Sequence, residues 1–225
     1  MRFFELSHFL FCLSIIFCLG ACSQDSSSGG SGAGNGAPIK KPQWPADCDQ
    51  AWATIVKTQP KGRMTAYENK SFIKTNTAKD LTSHINIKTT VTESNSNEVV
   101  TIVETEMLAP VATEATRHEE KLTKSDFLQF CRLGDDRPTN PMEEPQERFI
   151  GIESITVRAG RFQATHRETI LNQSQNGLNM RTKTDFWVSN EYEGLTIRSI
   201  SESSSEMEGD TYTTVFETEL IEFRK

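Results

Sequence analysis

The stretch Ile155-Thr156-Val157-Arg158-Ala159-Gly160-Arg161-Phe162-Gln163-Ala164-Thr165 decides the fold. Apolar and polar residues alternate on both sides of Ala159-Gly160, the pattern of two half-buried strands joined by a tight turn. Gly160 permits the turn, Phe162 packs, and Ala164 leaves room beneath a neighbouring strand. Working outward, the same alternation recurs over Arg148 to Val157 and Arg161 to Leu171, then over Leu178 to Val188, Leu195 to Ser201 and Thr211 to Phe223. Upstream it recurs over Arg63 to Phe72, Ser83 to Thr92, Glu98 to Met107 and Ala112 to Lys121. Asn176-Gly177, Glu193-Gly194 and Gly209-Asp210 mark further turns. Short connections between consecutive strands predict a mainly β chain: a curved antiparallel sheet or partial barrel. A break at Gly134 to Gln146, with Pro138, Pro141 and Pro145, divides the sheet into two halves.

Two short helices are expected beside the sheet. Asp47 caps a segment with Cys48, Ala51, Trp52, Ile55 and Val56 on one stripe. Thr123 to Asp126 has capping-box spacing and opens a helix with Phe127, Phe130 and Cys131 on one face and Gly134 as its stop. Each helix carries a cysteine on its apolar face, so a Cys48–Cys131 disulfide is the expected staple, with two buried thiols as the alternative.

The chain has 225 residues, 24 Lys plus Arg against 31 Asp plus Glu, and a net charge of -7. An acidic chain without a basic block excludes nucleic acid as a natural partner. Arg2 precedes an apolar run from Phe9 to Leu19, too short to span a bilayer and suited to a signal peptide. Leu19-Gly20-Ala21-Cys22 resembles the lipobox of bacterial lipoproteins. That resemblance implies cleavage between Ala21 and Cys22, diacylglycerol on the Cys22 thiol and an acyl chain on its amine. Several chains anchor a protein stably, since each buried methylene contributes about 0.8 kcal/mol. Ser23, rather than Asp, implies the outer membrane if the source is Gram-negative. Residues 1–21 are thus read as the signal peptide and 22–45 as a tether. Ser23 to Gly36 holds five Ser and five Gly among fourteen residues, which makes it a flexible coil. Residues 46–225 form one β-rich domain.

Gly32 to Ala37 matches a dinucleotide fingerprint in letters only, because it follows no strand and opens no helix. The hairpin at Ile155 to Thr165, Asp185-Phe186-Trp187-Val188-Ser189, and Gly194-Leu195-Thr196-Ile197-Arg198 together resemble bacterial envelope proteins of the DUF3108-like kind, from Phe149 onward. The resemblance implies an all-β exported domain and no reaction. Asn190 to Glu193 departs from the family's pattern before the final Gly-Leu.

No catalytic constellation is legible. His84, His118 and His166 have no helical metal-pair spacing. His118-Glu119-Glu120 lacks the second histidine of a zincin motif. Glu104 and Glu106, Glu119 and Glu120, and Glu217 and Glu219 read as solvated strand faces, and Asp135-Asp136 lacks calcium-loop spacing. No metal and no cofactor are expected. Trp187 shares a strand face with Arg181, Lys183 and Asp185 and is the candidate contact residue for a partner or ligand. The expected role is that of a lipid-anchored, non-enzymatic binding or structural lipoprotein of the envelope. Its partners are the membrane, through Cys22, and an envelope protein or apolar ligand. The alternatives are a half-barrel carrier of lipid or another apolar molecule, and an envelope hydrolase.

Overall fold

A computed structural model describes residues 47–75, 78–133, 145–175, 178–207 and 210–225. The signal peptide, Cys22, the tether and Trp44 lie outside them, as do Gly134 to Glu144 and the expected turns at Asn176-Gly177 and Gly209. Nine strands build one antiparallel sheet: β1 Met64–Lys74, β2 Lys79–Ser94, β3 Glu98–Ala109, β4 Thr116–Thr123, β5 Gln146–Val157, β6 Gly160–Gln175, β7 Leu178–Ser189, β8 Thr196–Met207 and β9 Asp210–Arg224. Each expected strand is present. The fourth starts later than the alternation implies, since residues 110–115 form no strand.

The strand order is β4-β3-β2-β1-β9-β8-β7-β6-β5. The chain therefore walks outward from β1 to one edge, crosses to the opposite edge, and walks back until β9 pairs with β1. This order makes two meanders, β1 to β4 and β5 to β9, whose first and last strands meet at the centre. The sheet is open, with β4 and β5 at its two edges.

Helix α1, Cys48–Thr58, starts where the Asp47 carboxylate accepts the backbone N–H groups of Asp49 and Gln50. Helix α2, Lys124–Leu133, starts at Thr123, whose hydroxyl accepts the Asp126 N–H at 3.2 Å. Both cover the first meander. Ala51, Trp52 and Ile55 of α1 and Phe127 of α2 pack on Val91 and Val99 of the sheet. The Trp52 indole N–H donates to Ser96 O at 2.8 Å, which removes the cost of burying it. Cys48 and Cys131 form the disulfide between the helices. One detail differs from the sequence reading: Leu128, not Phe130, joins Cys131 against the core, and Phe130 is 40% exposed. Residues at i+3 and i+4 share the stripe, so Leu128 and Phe127 both lie under Cys131.

The second core belongs to the hairpin that opened the sequence reading. Val157, Phe162 and Ala164 pack with Leu195, Ile197 and Leu220. Ala164, Leu195, Ile197 and Leu220 are fully buried. The second meander curls. At the Arg158-Ala159 turn between β5 and β6, the Ala159 N–H donates to Leu220 O of β9 at 3.4 Å. Gly160 sits at φ 135°, and an added Cβ would meet only Phe162 at an ordinary 3.9 Å. Gly160→Ala therefore costs backbone strain alone, about 1–2 kcal/mol. A thermal melt should show a drop of a few degrees; an unchanged midpoint would mean the turn relaxes freely.

Burial along β9 does not follow a simple alternation. Leu220 is buried, yet Tyr212 and Phe216 on its face are about half exposed, while Val215 on the other face is buried. A register shift opposite Ala66/Tyr67 makes Ile221 an extra residue, so the faces exchange near the strand's end. The helices cover only one region, and the rest of that face is left to solvent.

Candidate functional site

Next to the apolar cluster of Val157, Phe162 and Ala164, the inner face of the curl is polar, and this polar part holds the expected contact residue. Alternation on β7 puts Lys183, Asp185 and Trp187 on this face. Pairing sets Trp187 opposite His166 of β6 and opposite Arg198 of β8, and Asp185 opposite Glu168. Glu153 of β5 stands opposite Ala164, two residues from His166 on β6. Phe162, Ala164, His166 and Ile170 share the inward face of β6. Glu168 joins them as a buried carboxylate that the sequence reading missed.

Trp187 is half-buried, and its ring is engaged on several sides. The indole stacks on His166 with centroids 4.3 Å apart and planes 21° from parallel. Its N–H donates to Glu153 Oε1 at 2.6 Å. The Arg198 guanidinium lies 5.9 Å from the ring centroid, within cation–π range. His166 is held between two carboxylates, with Nδ1 3.1 Å from Glu153 and Nε2 3.0 Å from Asp185. Below it, Lys183 bridges Glu168 and Asp185 at 3.0 Å each, and Arg148 reaches Glu168 at 3.0 Å. Hydrogen bonds to Glu168 and then Asp185 push the Lys183 ammonium above its ordinary value.

A second knot closes the curl. Glu68 of β1 accepts Lys70 at 2.8 Å and His84 at 2.8 Å, and it pairs with Arg158 from the β5–β6 turn. The Arg158 backbone N–H also donates to Glu219 Oε1 at 3.4 Å. Burial opposes ionisation of Glu68, but the hydrogen bonds from Arg158, Lys70 and His84 outweigh it and lower the carboxyl from 4.5 to about 2. Nothing in the sequence marked this knot beyond the alternation of Glu68 with Lys70, because Arg158 reaches it from 90 residues away.

The three histidines are not brought together. His84 belongs to the Glu68 knot, His166 to the Trp187 stack, and His118 lies on edge strand β4, with Nε2 3.0 Å from Glu120. Each faces carboxylates. Among the described residues no group of three or more His, Cys, Asp or Glu could hold a metal ion, and no helix is long and apolar enough to cross a membrane. Chemically, the inner face beyond the apolar cluster of Val157, Phe162 and Ala164 is a set of ion pairs around one stacked tryptophan. It can present fixed charge and an indole edge to a partner.

No family model and no curated protein matches the chain. The DUF3108-like resemblance of Phe149 onward therefore has no family match behind it. Solved structures do resemble the fold. A candidate exported protein with a YmcC-like fold from Bacteroides fragilis is 12% identical, covers 74% of this chain and 97% of its own, and has a TM-score of 0.37. A candidate lipoprotein from Parabacteroides distasonis is 12% identical over 74% of this chain and 96% of its own, with a TM-score of 0.35. An S-type phycobiliprotein lyase from Guillardia theta is 7% identical over 77% and 93%, with a TM-score of 0.28. The chain is thus similar to proteins described as exported and as lipoproteins.

Proposed function

We propose that this protein is a lipoprotein anchored to the cell envelope through acyl chains on Cys22, and that its β domain has a non-enzymatic binding or structural role there. The observation that carries the reading is the cysteine inventory. Cys12 and Cys18 leave with the signal, and Cys48 and Cys131 bond to each other. The single remaining cysteine is Cys22, at the end of the lipobox. A disulfide also suits an oxidising, exported location. If the source is Gram-negative, Ser23 in place of Asp directs the anchored chain to the outer membrane.

The inner face supports a binding or structural role over the two alternatives. An apolar cargo would meet Lys183, Glu168, Asp185 and His166 and would have to desolvate them. A hydrolase would need a base aimed at a nucleophile, and the described histidines face carboxylates instead.

The test is detergent phase separation of cells expressing the full chain. The wild-type protein should enter the detergent phase. Cys22→Ser should leave it in the aqueous phase, because both the thioether and the amine acylation that follows it are lost. A Cys22→Ser protein that still partitions with detergent would refute the anchor.

A further inference from the structure

The two edges of the sheet differ sharply. Strand β4, Thr-Arg-His-Glu-Glu-Lys-Leu-Thr, is lined with exposed charge, the usual protection of an open edge. Strand β5 is twelve residues long and exposes Phe149, Ile150 and Ile152, at 48%, 43% and 64%. Its outer backbone groups face away from β6, and an edge of this length with three exposed large apolar residues is a template for another strand.

We propose that β5 is a homodimer interface, in which β5 of a second copy adds to the sheet in antiparallel register. The register follows from a bulge. β5 pairs Phe149 with Arg167 and Gly151 with His166, so Ile150 is an extra residue. The extra residue puts Phe149 and Ile152 on one face and Arg148 and Glu153 on the other. Directly opposite residues of paired strands must share a face. A two-fold axis between Ile150 and Gly151 meets that condition. It sets Phe149 against Ile152 of the second copy and Arg148 against Glu153, each twice. Apolar meets apolar and cation meets anion. Ile150 then lies against Gly151, where an added Cβ would have nothing within 4 Å. A regular strand could not pair with itself in this register, because the faces would conflict. The arrangement joins two nine-stranded sheets through their unprotected edges and leaves the charged β4 edges outside. It concerns β5 alone and stands whether or not Cys22 is acylated.

The experiment is analytical ultracentrifugation of the purified full-length mature protein, in detergent, at tens of micromolar. Wild type should sediment as a monomer–dimer equilibrium. Arg148→Glu should weaken association about tenfold, by setting Glu against Glu153 at both ends of the interface. Arg148→Glu combined with Glu153→Arg should restore it, which a merely structural role for either residue would not do. Arg148 also meets Glu168 and Glu153 also holds Trp187 and His166, so Ile152→Lys serves as a second variant at a solvent-facing position outside that network. It should remain folded by circular dichroism and sediment as a monomer. A monomeric wild type, or a dimer indifferent to both Arg148→Glu and Ile152→Lys, would overturn the proposal.

Discussion

Cys131→Ser should lower the melting temperature by roughly 10 °C or more, and Cys48→Ser should do the same. The two cysteines are 83 residues apart, so the bond closes a loop that contains β1 to β4. Removing loop-closure entropy from the unfolded chain gives a ceiling of about 4–5 kcal/mol for a loop of this length. Each kcal/mol is worth about 2–4 °C in a domain of this size. The effect should be at the high end because the core is lean. The helices hold the first meander through Ala51, Trp52, Ile55 and Phe127, and few other large residues are buried there. The double variant should melt no lower than either single one, since one bond is lost in each case. A reductant should bring wild type to the same midpoint. Thermal unfolding followed by circular dichroism measures this. Melting curves that coincide with and without reductant would mean that the helices need no staple.

Glu68→Gln should destabilise the protein by about 2–3 kcal/mol at neutral pH, and the loss should disappear in acid. The Glu68 side chain is 11% exposed and draws together Arg158, Lys70 and His84. Its carboxyl is lowered from 4.5 to about 2 by those hydrogen bonds acting against burial. A depressed folded value means the stabilisation is fully present above 4.5 and is lost as pH falls through about 2. The shift is worth about 3 kcal/mol at most, since each unit is worth about 1.4. Glutamine keeps the shape and removes the charge, leaving the Arg158 and Lys70 cations facing each other without a counter-ion. Urea melts at pH 7, 4 and 2 should therefore show a gap between wild type and variant that is mostly kept at pH 4 and nearly closed at pH 2. A gap that stays constant from pH 7 to pH 2 would mean that Glu68 acts by packing and not by charge. The same variant should loosen the curl, because Arg158 ties the β5–β6 turn to β1 through this carboxylate.

Local structure was legible because its causes are local. Alternation around Ala159-Gly160 and its repeats marked nine strands, and Asp47 and Thr123 marked both helix starts through side chains that cap within three residues. The disulfide was legible because both cysteines fall on helical apolar stripes. What stayed hidden depends on residues far apart in the chain. The crossing from β4 to the far edge puts β1 beside β9, and no short-range pattern encodes that pairing. The Glu68–Arg158 contact depends on the curl that follows from it. Trp187 was visible as an aromatic on a charged face, but its stacking on His166 and its bond to Glu153 required three strands in register. The bulge at Ile150 left no mark, because an extra residue in an exposed edge strand changes composition by nothing.

Mass analysis of the N-terminal peptide of the membrane-purified protein reports most directly on where the chain is moored. It should begin at Cys22 and weigh more than its residues by a diacylglyceryl group and one further acyl chain. A peptide that begins at Met1, or at Cys22 with an unmodified thiol, would contradict the account.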